Sequence, residues 1–220
     1  MKHPCSAVFF DLDGTLLDTL EDIADAANHA LTALGFPAHP LDAYRYFVGD
    51  GIKILIEKIL PPEHVNDEAV VAKFLAQYVA AYDQRWDRTS RPYPDIAEML
   101  TALTERNLKM AVLSNKPHAF AIKCVEKLLA PWQFSPILGQ QDAVPKKPDP
   151  AGVYLIREAW HLESSSILYL GDTATDILTA KNAGCFAVGV SWGFRPESEL
   201  REAGADRVVQ HPMDVLECFK

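Results

Sequence analysis

The feature that most constrains this chain is a set of short, unbroken apolar runs, each stopped by turn residues and separated by stretches of helical period. The runs are Ala7-Val8-Phe9-Phe10, Met110-Ala111-Val112-Leu113, Ile167-Leu168-Tyr169-Leu170 and Ala187-Val188-Gly189-Val190, with a weaker Arg207-Val208-Val209. A strand with one wet face alternates apolar and polar residues, whereas an unbroken run suits a parallel strand covered on both faces. Between the runs, Ile96, Met99, Leu100 and Leu103, and then Phe120, Val125, Leu128 and Leu129, fall at helical spacing. Strands alternating with helices predict an α/β fold, a doubly wound parallel sheet.

One stretch breaks the alternation. From about Glu21 to Tyr82 there are helix periods and no strand pattern. Ile23, Ala26, Ala27, Ala30, Leu31 and Leu34 form one stripe, ended by Gly35 and Pro37. Ile52, Leu55, Ile56 and Ile59 form a second, ended by Pro61-Pro62, and Val70, Val71, Phe74, Leu75, Tyr78, Val79 and Tyr82 a third. Helices inserted straight after the first strand read as a cap over residues 18–86, with 1–17 and 87–220 forming the core. The expected hinges are 16–20 on the way out and 88–94 on the way back, where Pro92 and Pro94 restrict the return path.

The 220 residues suffice for a real core. A formal net charge of −9 argues against nucleic-acid binding, which draws on a basic surface. Cys5, Cys124, Cys185 and Cys218 are scattered with no CxxC pair, the pattern of reduced thiols. The seven histidines form no metal-binding pair. No targeting segment or membrane-length apolar stretch is visible, so a cytoplasmic protein without membrane partners is expected.

The chemistry lies in the residues that close each run. The first ends in Asp11-Leu12-Asp13-Gly14-Thr15, the second in Ser114-Asn115-Lys116-Pro117, the third in Gly171-Asp172-Thr173-Ala174-Thr175-Asp176. Open parallel sheets bind ligands beyond the carboxyl ends of their strands, so these segments should deliver four carboxylates and a hydroxyl to one edge. Two like charges 4 Å apart repel by about 4 kcal/mol at an effective dielectric of 20. A divalent cation relieves that repulsion, and an all-oxygen ligand set suits Mg²⁺ better than zinc. Taken singly, any of these residues could be a helix cap or turn former. Together they argue for a site.

The run from Asp11 to Asp18, DLDGTLLD, resembles the first signature motif of the haloacid dehalogenase superfamily. Ser114, then Lys147 in Lys147-Pro148-Asp149-Pro150, then Gly171-Asp172 with Asp176 resemble its second, third and fourth motifs, in order and at ordinary spacing. A helical insertion after the first motif is similar to the branch containing phosphoglycolate phosphatases. Val48-Gly49-Asp50-Gly51 and Leu113-Ser114-Asn115-Lys116-Pro117 resemble that branch in particular. One departure is Asp95, where relatives commonly carry Gly.

The resemblance implies a phosphatase acting on a small phosphate monoester. Asp11 would be the nucleophile that forms an aspartyl phosphate, and Asp13 the acid and then the base. Mg²⁺ would rest on the Asp11 carboxylate, the Asp13 carbonyl and Asp172, with Asp176 either a ligand or a residue behind the ligands. Ser114, the Asn115 amide and Lys147 would hold the phosphoryl oxygens. Lys146 is the rival of Lys147, which the motif prefers because it directly precedes Pro148. Gly49 and Gly51 would form a cap loop meeting the leaving group, and 2-phosphoglycolate is the expected substrate. A sugar-phosphate phosphatase, a phosphoglucomutase-like transferase and a silent phosphate-binding module stay open, as does a choice between monomer and homodimer.

Overall fold

The computed structural model describes residues 5–218, so the expected outer boundaries at 1 and 220 lie outside it. The chain runs β1 (Ala7–Phe10), β2 (Leu17–Asp18), α1 (Leu20–Ala33), α2 (Leu41–Phe47), α3 (Ile52–Ile59), α4 (Glu68–Asp83), β3 (Arg91–Pro92) and α5 (Ile96–Glu105). It continues through β4 (Lys109–Pro117), α6 (His118–Leu128), β5 (Ile137–Gln140), α7 (Ala151–Trp160), β6 (Ile167–Gly171), α8 (Ala174–Ala183), β7 (Phe186–Val190), α9 (Glu197–Glu202) and β8 (Arg207–Val209).

Six strands form a parallel sheet in the order β5-β4-β1-β6-β7-β8. Every β1 residue is buried, as its unbroken apolar run requires. Successive strand side chains point to opposite faces: Val8 and Phe10 pack with Leu100, Leu103 and Val125, while Ala7 and Phe9 pack with Val153 and Ile177. The chain leaves β1 toward β4 and β5, then crosses to β6 on the other side. That reversal opens a crevice beyond the carboxyl ends of β4, β1 and β6, where an open α/β sheet binds its ligand.

The segment between β2 and β3 is wholly helical. Helix α1 packs along α4, and Asp67 starts α4 by accepting from the Ala69 and Val70 amides at 3.0 and 3.2 Å. Phe74, Tyr78 and Tyr82 stack along α4, and Tyr82 meets Phe120 of α6 edge-on at 4.9 Å. The two linkers are themselves paired: β2 and β3 form an antiparallel ribbon, Leu17 opposite Pro92 and Asp18 opposite Arg91. Asp22, buried at the start of α1, accepts from the amide and hydroxyl of both Thr89 and Ser90, fastening the outgoing linker to the returning one. Asp95 sits at φ 63°, in the left-handed region, just before α5. Among the described residues no helix is long and apolar enough to cross a membrane.

Candidate active site

Three adjacent strands bring the polar segments together. Asp11 continues the line of β1, its amide donating to the Leu170 carbonyl of β6 at 2.9 Å. Ser114 and Asn115 lie in β4, where pairing with β5 loses register between Leu113 and Pro117. Asp172 comes directly after β6. Gly14 turns the chain away at φ 85°, and a Cβ there would run into the Asp172 carboxylate. Lys147 comes from the loop before α7, with its ammonium 2.9 Å from Asp11 Oδ1 and 2.6 Å from Asp176 Oδ1.

Asp11, Asp172 and Asp176 are all buried, and each offers one oxygen within 4.8 Å of the others. Burial pushes Asp11 up to about 6, opposed by the charge of Lys147 and helped by those of Asp176 and Asp13. Burial, then Asp176 and Asp11, raise Asp172 well above the usual carboxylate range. Lys147 approaches Asp11 Oδ1 off the line of a hydrogen bond, so that oxygen is buried with no donor aimed at it. A buried, crowded, under-satisfied carboxylate is where a hard cation with oxygen ligands fits. The oxygens of Asp172 accept from Thr15 Oγ1 at 3.1 Å and the Phe194 amide at 2.8 Å, which fixes the carboxylate in place. Asp176 is more fully engaged: Oδ1 takes Lys147, and Oδ2 takes the Thr173 amide and hydroxyl at 3.1 and 2.7 Å.

The Asp13 side chain turns away from that cluster. Its Oδ1 accepts from Thr19 at 2.8 Å, and Lys116 Nζ lies 2.9 and 3.0 Å from its two oxygens. Both of its oxygens are thus engaged, and the side chain does not join the group formed by Asp11, Asp172 and Asp176. Burial opposes the charge of Lys116, but the Asp13 carboxylate overcomes it and holds the ammonium well above its usual value. Tyr82 Oη accepts from the same ammonium at 2.7 Å.

Above these groups lies a cleft of about 530 Å³, counting its open mouth. Asp11, Asp13, Ser114, Asn115 and Lys116 line it from below, and Val48, Gly49, Gly51, Leu55, Tyr78 and Tyr82 from the helical side. Gly49 and Gly51 therefore border the cleft, but Asp50 between them does not. Its carboxylate accepts from Thr175 of α8 at 2.8 Å and Lys58 at 3.1 Å. Gly51 has φ 87°, and a Cβ there would meet Gln140 Oε1 at 2.6 Å. Lys146 and Lys147 separate cleanly: the former donates to the Asp50 carbonyl at 2.8 Å, the latter enters the acidic cluster. The Asn115 side chain clasps the Lys147 backbone in both directions, at 2.9 and 3.2 Å, and donates to the Gly49 carbonyl at 3.1 Å.

Sequence reasoning passed over Lys116, Tyr82 and Arg195. Lys116 shares with Ser114 the period of two that puts both on one side of a strand, and Tyr82 ends the i, i+4 series Phe74, Tyr78, Tyr82. Arg195 carries no local signal. It reaches from the core to the Val48 and Tyr46 carbonyls at 3.1 and 3.4 Å.

Comparison with known proteins bears on this geometry. A family model described as haloacid dehalogenase-like hydrolase matches residues 8–190. A phosphoglycolate phosphatase of Vibrio parahaemolyticus is 33% identical over 214 residues, 96% of this chain and 94% of that protein. That of Photorhabdus laumondii is 32% identical over 214 residues, 96% and 90% of the two chains. The crystal structure of a predicted phosphoglycolate phosphatase from Haemophilus somnus superimposes with a TM-score of 0.87 at 29% identity, covering 97% of both chains.

Proposed function

This chain belongs to the haloacid dehalogenase-like hydrolase family, and we propose that it hydrolyses a small phosphate monoester by attack of the Asp11 carboxylate on phosphorus. It is an enzyme of the phosphoric monoester hydrolase class. The observation that carries the reading is the buried Asp11 oxygen with charge beside it and no donor aimed at it, at the floor of the cleft.

Each residue's part is set by its surroundings. Attack by Asp11 forms an acyl phosphate and expels the alcohol, exchanging one hard displacement for two easier ones. Asp13, held from both sides by Lys116 and Thr19, gives its proton to the leaving oxygen and then takes one from the water that cleaves the acyl phosphate. Ser114 and Lys147 hold the phosphoryl oxygens, the latter adding positive charge where charge shifts during transfer. Asp11, Asp172 and the Asp13 carbonyl would hold Mg²⁺, which when bound shields the incoming phosphate from the carboxylates and polarises it. The four cysteines are free thiols, which supports a reducing, cytoplasmic setting.

For the substrate we favour 2-phosphoglycolate, on the strength of the relatives' names and the glycine-bordered loop over the cleft. The test is a panel of phosphorylated metabolites assayed with Mg²⁺. Expected is a kcat/KM for 2-phosphoglycolate at least about tenfold above hexose phosphates and nucleotides, roughly 1.4 kcal/mol of differential transition-state binding. A sugar phosphate or nucleotide as best substrate would remove that assignment. Activity should vanish with EDTA, and Asp11→Asn should fold but not turn over. Beryllium fluoride should label Asp11, and an active Asn variant would refute the nucleophile.

A further inference from the structure

We infer that Lys116 and Tyr82 together form a receptor for a carboxylate on the leaving group. The inference rests on the phosphatase reading, with Asp13 as the acid that meets the leaving oxygen. Away from the two aspartates the cleft wall is largely apolar, with Ile23, Val48, Leu55 and Phe120 among its lining. Among the described residues that line it, Lys116 is the only cation. A leaving group carrying a second negative charge can therefore be matched here in one place.

That place has the right chemistry and position. Lys116 and Tyr82 are both buried, 7% and 1% exposed, so a charge meeting them is shielded from water and salt. Lys116 Nζ touches both oxygens of Asp13, which puts the ammonium one contact away from the leaving oxygen that Asp13 must reach. In the ester of a 2-hydroxy acid the carboxylate carbon is two bonds from that same oxygen, so the two charges fall side by side. Tyr82 Oη accepts from Lys116 at 2.7 Å and keeps its own proton, for which no acceptor exists among the described residues. An ammonium and a phenolic O–H thus face one point, and a carboxylate has two oxygens to offer them. Tyr82 belongs to α4 and Lys116 to β4, so the receptor spans the helical segment and the core, and the anion it binds ties the two together.

The test crosses charge on the enzyme with charge on the substrate. Values of kcat/KM are measured with Mg²⁺ for 2-phosphoglycolate and for ethyl phosphate, which has a methyl group in place of the carboxylate, in wild type, Lys116→Met and Tyr82→Phe. Wild type should prefer 2-phosphoglycolate by at least about tenfold. Lys116→Met should erase that preference, and Tyr82→Phe, which keeps the stacked ring, should reduce it by about threefold or more. Variants that slow both esters equally, so that the ratio survives, would show that Lys116 only positions Asp13 and would overturn the receptor while leaving the substrate assignment intact. A wild-type enzyme indifferent to the carboxylate would overturn both. Should Lys116→Met fail to fold, the ratio in Tyr82→Phe decides alone.

Discussion

The Lys147 ammonium lies 2.6 Å from Asp176 Oδ1, and Thr173 occupies the other oxygen of that carboxylate. Both members of the pair are buried. Asp176 thus resembles the partner that aims Lys147 more than a ligand waiting for a cation. The same oxygen cannot serve a compact octahedral Mg²⁺ and the ammonium at full strength, since both are hard and positively charged.

This separates Asp176 from Asp172 experimentally. Asp176→Ala leaves Lys147 with Asp11 as its remaining carboxylate, so it should reduce kcat through a misplaced Lys147 and lower stability by less than the roughly 3–5 kcal/mol lost when a buried charge is left wholly unpaired. Asp172→Asn should instead weaken Mg²⁺ affinity with a smaller loss of stability. Calorimetric titration of Mg²⁺ into both variants checks this. A larger loss of affinity in the Asp176 variant would make Asp176 the ligand.

Asp11 sets a pH dependence. Its carboxyl, pushed up to about 6 by burial and by the carboxylates around it, holds its proton more tightly folded than unfolded. Its contribution to stability is therefore full below the ordinary carboxylate value and is lost as pH rises through about 6. Mg²⁺ binding needs the ionised form and should strengthen over the same interval. The rise in Tm on adding saturating Mg²⁺ should accordingly be larger at pH 7.5 than at pH 5. An equal rise at both would contradict it.

Asp22 is the fastening of the linkers. Asp22→Ala leaves the amides and hydroxyls of half-buried Thr89 and buried Ser90 without their acceptor, a loss of about 3 kcal/mol. In a chain this long that lowers Tm by roughly 6–12 °C. Thermal unfolding monitored by circular dichroism measures it.

Asp95 should respond in the opposite direction. Its left-handed backbone suits glycine better than any residue with a Cβ, and no cap hydrogen bond from its side chain is lost. Asp95→Gly should stabilise by about 0.5–1 kcal/mol, after allowing for glycine's freer unfolded chain. Unchanged kinetics with a slightly higher Tm is the expected result.

Gly51 offers a steric test of the loop. A valine there is strained at φ 87°, and although the mobile end of Gln140 can give way, the backbone strain reshapes the loop over the cleft. Gly51→Val should lower kcat/KM for 2-phosphoglycolate several-fold more than for p-nitrophenyl phosphate, whose good leaving group relies less on enclosure.

Much of this fold is legible in the sequence because burial writes itself into composition. The five runs predicted as strands lie in β1, β4, β6, β7 and β8, and the helical stripes in α1, α3, α4, α5 and α6. Several of the elements that escape such a reading are short or peripheral. Strand β5 lies at the sheet edge with half its residues outside the apolar set, and α2 has one fully buried residue, Tyr44, too few for a period. The β2–β3 ribbon is two residues on each side and is held by backbone pairing, to which side-chain patterns are blind. At the site, the signature motifs point to the groups on the core strands. Lys116, Tyr82 and Arg195 act across long sequence separations, and a single sequence does not encode which distant partner a lysine or tyrosine meets.

The paired linkers carry a further implication. Topologically, α1 to α4 are the loop of a hairpin whose stem is Leu17–Asp18 against Arg91–Pro92. The entropy of closing a loop grows only with the logarithm of its length, about 0.6 kcal/mol for each doubling. Such a stem can therefore carry inserts of very different size while the parallel sheet keeps its register. Evolution is then free to exchange the insert as one cassette: Tyr82 and the glycine loop leave with it, while Asp11, Ser114, Lys116, Lys147 and Asp172 stay behind. New leaving-group preferences can arise by replacement of one contiguous segment, without revisiting the machinery that cleaves the phosphate ester.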